Sequence, residues 1–236
     1  MNCFIDALKK SPYFTKYIIN DIDINNIIGI YIAGSTCLGI EDEYSDYDII
    51  VLTLKPVPDS TDFKEFVRLK YKGRPAHWYY RPIEDIFSLK DATDLDVLCK
   101  VQFDFFFRAK TIYENFNHID LLLALDALKS KISTIASYAF LKANLVKINK
   151  LVTQNCILKK DHSKYIYHWC IASCYLTKTP LNIDCLRELK RIYWRPVKSE
   201  YKKWAIQILK QGVKFIDTNS WNCEKELNNL YDEIYK

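Results

Sequence analysis

Two strongly apolar runs stand a short loop apart near the start of this chain, and their closeness constrains what can be built around them. Ile27–Ala33 (IIGIYIA) and residues 48–54 (DIIVLTL) are rich in β-branched side chains, the composition of strands covered on both faces. Gly34 ends the first run and Pro56 follows the second, and both residue types interrupt a sheet ladder. Between the runs lies GSTCLGIEDEYSDY, residues 34–47. This segment has room for a tight turn, one helical turn and a loop leading into the second strand.

The flanking sequence extends the α/β reading. Residues 4–19 and 21–27 carry helical spacing interrupted near Ser11 and Pro12, where proline suits a new first turn. Residues 63–71 and 76–81 alternate around Lys72-Gly73-Arg74-Pro75, which predicts a hairpin. Pro82 stops the second arm, residues 83–89 begin a helix with acids in its first turn, and residues 110–113 give a short further strand. From residue 119 the pattern changes to helical spacing, over 121–152, 164–176, 184–193 and 199–215. The chain therefore divides into an α/β N-terminal lobe, 1–120, and an all-α C-terminal lobe, 121–236, joined by a connection that is not flexible in composition.

Charge follows the same division. Residues 1–120 hold 14 Lys and Arg against 19 Asp and Glu, and residues 121–236 hold 20 against 10, so the net +5 joins a −5 half to a +10 half. Such asymmetry suits an acidic metal site facing a surface that receives polyanions, and by itself it suits a set of solvated helix faces better. The eight cysteines form no CxxC pair, which writes neither a zinc site nor a disulfide framework and fits reduced thiols in a cytoplasmic protein. Cys170 and Cys174, one helical turn apart, read as small buried side chains. The apolar stretches at 105–107 and 121–125 are far too short to cross a bilayer, so no membrane partner is expected.

The chemistry concentrates between the two strands. Alternation puts Asp46 and Asp48 on one strand face, where paired carboxylates can hold a hard divalent cation through oxygen. The Gly34-Ser35 turn supplies the complement: glycine lets a backbone approach closely, and the Ser35 hydroxyl and following amides can donate to phosphate oxygens. Each feature alone is an ordinary turn or loop end. Their order, strand, Gly-Ser, loop, Ser-Asp-x-Asp and strand, is much harder to obtain by chance.

This order, YIAGSTCLGIEDEYSDYDIIVLT, resembles the motif of DNA polymerase β-superfamily nucleotidyltransferases, and Gly39 fits it too. The resemblance implies a palm-like α/β lobe with a mixed sheet, Mg²⁺ (or Mn²⁺) at Asp46 and Asp48, and the phosphates of a nucleoside triphosphate at Gly34 and Ser35. It also implies a third carboxylate on a later strand. Residues 76–87 (AHWYYRPIEDIF) look like that strand and the helix after it, but His77 occupies the place of the acid. His77 is read as a catalytic residue, a neutral ligand or a general base. The other readings are that it is inert, that Glu65, Glu84 or Asp104 supplies the acid, or that catalysis has been lost.

Residues 164–176 and the following TPLNIDCLRELKR look like the helical part of stand-alone bacterial and phage members of the superfamily. On that resemblance Lys164 is a nucleotide-binding candidate, one turn from His168. Residues 186–204 interleave Arg187, Lys190, Arg191, Arg195, Lys198, Lys202 and Lys203 with Tyr193, Trp194, Tyr201 and Trp204. That pattern suits a nucleic-acid acceptor, and it suits an amphipathic helix pair still better. The expected function is transfer of a nucleoside monophosphate from a triphosphate to an acceptor hydroxyl, RNA or tRNA among the acceptors. The alternatives are a nucleotide- or RNA-binding module without turnover and an antitoxin-like partner protein.

Overall fold

The two apolar runs pair with each other. Ile27–Ala33 forms β1 and Tyr47–Thr53 forms β2, antiparallel from Ala33 opposite Asp48 to Ile27 opposite Thr53. The computed structural model describes residues 23–41, 45, 47–57, 76–87, 110–153, 163–191 and 196–234. The helix expected over 4–19 and the hairpin arm expected over 63–71 lie outside them, while the helical stretch expected over 21–27 is a single 3-10 turn at Ile24–Asn26 that gives way to β1 at Ile27. The other arm is β3, Ala76–Pro82, and its neighbour is β2, in parallel. Lys110–Glu114 forms β4 along the other edge of β1, which completes a mixed sheet in the order β3-β2-β1-β4.

A register irregularity at the start of β1 decides which side chains share a face. Ile30 and Ile32 pack with Ile49, Val51 and Ile112 on one face, while Tyr31 and Ala33 join Ile50 and Leu52 on the other. Past the shift between Ile27 and Gly29 the parity reverses, so Ile27 belongs with the first group and Ile28 with the second. An extra residue in one strand turns every following side chain to the opposite face. All seven residues of β1 are buried, as its composition requires.

Around the sheet the helices run in chain order. A single turn, α1 (Ser35–Leu38), separates β1 from β2, and α2 (Ile83–Phe87) follows β3 directly. Pro82 has no amide hydrogen for a continuing ladder but is well suited to precede a first helical turn. Glu84 and Asp85 occupy that turn, and Asp85 pairs with Arg81 at 3.3 Å. Then come α3 (Ile119–Ala143), α4 (Leu145–Thr153), α5 (Ser163–Thr177), α6 (Ile183–Lys190), α7 (Ser199–Thr218) and α8 (Cys223–Ile234). No helix among the described residues is long and apolar enough to cross a membrane.

Two departures from the sequence reading have local causes. The expected helix over 121–152 is two helices, because Asn144 turns its side-chain amide to the Phe140 carbonyl at 3.0 Å and takes a non-helical conformation. The C-terminal helix α8 is an addition, although its signal was present. Asn222 accepts from the Lys225 amide at 3.2 Å as a cap, and Cys223, Leu227 and Leu230 are spaced to bury one face.

One apolar cluster runs from the sheet into the helices. It joins Ile28, Ile50 and Leu52 to Ile83 and Phe87, and these to Ile132, Trp169, Leu209 and Leu227. The helix α8 packs on both α3 and α2, with the Tyr231 ring edge-on to Phe87 at 5.5 Å. The passage from β4 to α3 is pinned by the buried Asn115. Its backbone amide donates to the Ile28 carbonyl at 2.9 Å, and its side chain donates to the Ile24 and Ile27 carbonyls at 3.1 and 3.0 Å. Buried amides satisfied this way tie the two segments together at little cost.

Candidate active site

Gly34 leaves β1 with φ 72° and ψ −153°, a conformation that glycine adopts and other residues strongly resist. The strand thereby turns at once into α1, whose first residue is Ser35. Glycine at the cap offers no side chain to the first amides of the turn. The turn closes on itself: the Cys37 amide donates to the Gly34 carbonyl at 3.2 Å and the Ile40 amide to the Ser35 carbonyl at 3.1 Å. Gly39, at φ 67° and ψ 23°, ends it in the left-handed region.

Asp48 comes back to this turn from the neighbouring strand. It lies opposite Ala33, the residue before Gly34. Its carboxylate sits directly against the Gly34 Cα: a Cβ on residue 34 would stand 3.0 Å from the Asp48 Cγ and overlap Oδ2. The absence of a side chain at 34 is therefore a geometric requirement for the position of the carboxylate. Ser35 is 8 % exposed and Asp48 is half-buried, so the turn and the carboxylate that the sequence assigned to phosphate and cation lie at one end of the two central strands. Thr36 Oγ1 and Glu41 Oε2, which flank the same turn, are buried and meet no partner among the described residues.

The remaining candidates are placed to different degrees. Asp46 lies outside the described residues. The backbone of His77 occupies the β3 position directly across from Asp48 in parallel register, so the strand named from the sequence as the third-acid strand is the one that borders Asp48. Lys164 stands in the first turn of α5, a helix packed against α3, α6 and α7. Its neighbour His168 packs its ring on Tyr167, with centroids 3.9 Å apart. Among the described residues no group of three or more His, Cys, Asp and Glu side chains converges as a complete metal cage.

The segment with basic and aromatic residues is engaged within the chain. Arg187 donates to the Gly39 carbonyl at 2.8 Å and pairs with Asp184 at 2.9 Å. Lys190 donates to Ser45 Oγ, Arg191 pairs with Glu188 at 3.7 Å, and Lys198 lies 6.0 Å from the Tyr201 ring centre. Residues 192–195 lie outside the described residues. Sequence reasoning set Arg187 and Lys190 toward solvent first and nucleic acid second, and missed their link to the motif loop. The spacing of two cations one turn apart, bordering the buried face of Cys185, Leu186 and Leu189, was the available signal.

No family model matches this chain, and a search of curated proteins finds no similar sequence.

Proposed function

We propose that the protein is a nucleotidyltransferase that moves a nucleoside monophosphate from a triphosphate to an acceptor hydroxyl. The observation that carries this reading is the Asp48 carboxylate seated against Gly34 in its left-handed turn, which puts an oxygen ligand beside a close-approach backbone. A divalent cation fits these residues. The oxygen donor of Asp48 is the right chemistry for Mg²⁺, and the missing Cβ at residue 34 leaves the room that its carboxylate takes. Asp46, two positions before Asp48 in the sequence, is the second ligand in this reading. Such an ion, when bound, neutralises triphosphate charge and stabilises the charge that develops on transfer.

The chain's own groups then have separate tasks. The Gly34-Ser35 backbone admits the phosphates closely, and the Ser35 hydroxyl donates to them. The acceptor oxygen attacks the α-phosphorus, the bond from that phosphorus to the bridging oxygen breaks, and pyrophosphate departs with the bonding pair. His77, across the register from Asp48, takes the hydroxyl proton. Lys164 and the cationic helical half add positive charge near the polyphosphate. Most of the acceleration comes from positioning and charge, as in phosphoryl transfer generally.

A second reading is favoured by the residue opposite Asp48: it is a histidine where the resembled family has a carboxylate. A site so depleted would bind a nucleotide or RNA and not turn it over. Calorimetry with each triphosphate, with and without Mg²⁺, followed by transfer of radiolabel from the α-phosphate, separates the two. Binding with no transfer by the wild type, and transfer gained by His77→Asp, would establish the second reading. Transfer by the wild type that disappears in Asp48→Ala, with the circular dichroism spectrum unchanged, is the outcome expected here, and full activity in that variant would refute the assignment.

A further inference from the structure

Two cations of α6 reach the loop that joins α1 to β2, across 148 and 145 positions of sequence. Arg187 donates to the carbonyl of Gly39, where α1 ends, and Lys190 donates to the hydroxyl of Ser45, just before β2. The two contacts bracket the loop. They come from one face of α6, since residues three apart on a helix lie side by side. The adjoining face, Cys185, Leu186 and Leu189, is buried in the helical core. That burial fixes the helix from which both cations extend.

Each contact has features of an anchor. Arg187 is oriented by its bond to Asp184 at 2.9 Å, so its guanidinium meets Gly39 in one direction. Ser45 is 6 % exposed, and its hydroxyl is met by an ammonium group from another part of the molecule. Charged donors make the stronger hydrogen bonds of a folded protein. Ile40, next to Gly39, is fully buried and adds an apolar hold on the same end of the loop.

We infer that Lys190 and Arg187 are positioning residues, which hold both ends of the α1–β2 loop and so fix the Asp48 carboxylate over Gly34. The contacts stand by themselves, while the consequence for catalysis rests on the nucleotidyl-transfer reading. Asp48 is three residues beyond Ser45 and Gly34 five before Gly39, so movement at either anchor is transmitted to a site residue through a short stretch of backbone. A displacement of about 1 Å at a reacting group costs on the order of 100-fold in rate. The helical half thus sets the geometry of the site in the sheet.

Two measurements test this on the full-length protein. Hydrogen exchange compares the wild type with Lys190→Met, Arg187→Met and the double variant. The amides of Gly39, Ile40, Tyr47 and Asp48 should exchange about tenfold faster in the double variant, and those of α3 should not change. Unchanged exchange at the loop overturns the inference. In transfer assays Lys190→Met should lower kcat by about 10- to 100-fold and leave KM for the triphosphate within about threefold, with much of the loss restored in Lys190→Arg. A raised KM at constant kcat would mean that Lys190 holds the nucleotide itself, which also overturns it. Should the double variant fail to fold, Ser45→Ala removes the acceptor from the loop side and carries the same two expectations. A wild type that transfers nothing sinks the enzymatic reading alone, because exchange still decides on the anchors.

Discussion

Gly34 and Gly212 both stand where a side chain has no room, one at the end of a strand and the other inside a helix. A Cβ at Gly34 would meet the carboxylate of Asp48, and a Cβ at Gly212 would stand 2.8 Å from the Cβ of Ser173 and 3.2 Å from Leu141 Cδ1. At Gly212 the missing atom lets α7 lie close against α5 in the interior of the helical half. At Gly34 it admits a charged group, and the backbone also takes a left-handed conformation that helix packing never asks for. The same vacancy serves packing in one place and chemistry in the other. What distinguishes them is the neighbour: a buried serine and leucine against a half-exposed carboxylate.

Substitution on the two sides should separate these roles. The largest effect is expected from Asp48→Ala, which removes the charge and leaves the glycine. It should lower transfer by about 1,000-fold or more, the scale of losing a group that acts only on developing charge, and leave the thermal midpoint nearly unchanged. Gly34→Ala comes next. It forces a side chain into a positive-φ position at a strain of about 1–3 kcal/mol and pushes on the carboxylate. Transfer should fall by about 100-fold, together with a measurable loss of stability in urea titration.

Gly212→Ala tests the other side of the comparison. Overpacking between α7 and α5 should destabilise by about 1–3 kcal/mol, read as a lower melting temperature of about 2–4 °C per kcal/mol. Transfer per folded molecule should stay at the wild-type level. If Gly212→Ala instead reduced transfer as much as Gly34→Ala, the distinction between packing and chemistry would fail.

The smallest expected effect concerns the thiols of the helical half. Burial pushes the Cys174 thiol up to about 12 and that of Cys170 upward in the same sense, with the nearby Cys174 and Cys185 adding to the shift at Cys170. Above the ordinary thiol value of 9.0 the unfolded chain releases protons that the folded chain keeps. The stability supplied by neutral buried thiols is therefore complete below that pH and is lost as the pH rises toward about 12. Urea midpoints measured between about pH 8 and 10.5 should fall, and fall less in Cys174→Ala, whose starting stability is lower.

Much of the fold was legible beforehand, for identifiable reasons. Ile27–Ala33 was read to the residue because β-branched continuity and a terminal glycine mark a buried strand. The helices α5 to α7 were readable because their apolar positions recur at helical spacing. The Asn144 break was not, since asparagine within an apolar period gives no warning that its side chain will take the Phe140 carbonyl. In the candidate site Gly34, Ser35 and Asp48 were legible as a unit because a turn and the next strand are local features. Asp46 was named on the same alternation and lies outside the described residues. Arg187 and Lys190 were seen as charges and assigned to solvent or nucleic acid, since their acceptors are a backbone carbonyl and a serine far away in sequence.

The order of residues by itself determined which segments become strands and helices, and that a strained glycine turn leads into α1 between two strands. Those outcomes follow from side-chain periodicity and backbone stereochemistry within a few neighbouring residues. Only the tertiary structure decided that β3 runs parallel beside β2 with His77 opposite Asp48, that the Asp48 carboxylate lies on Gly34, and that α6 holds the motif loop at both ends. Contacts between distant parts of a chain must offset loop-closure entropy through the packing of the whole molecule, and no local pattern records which distant partner succeeds.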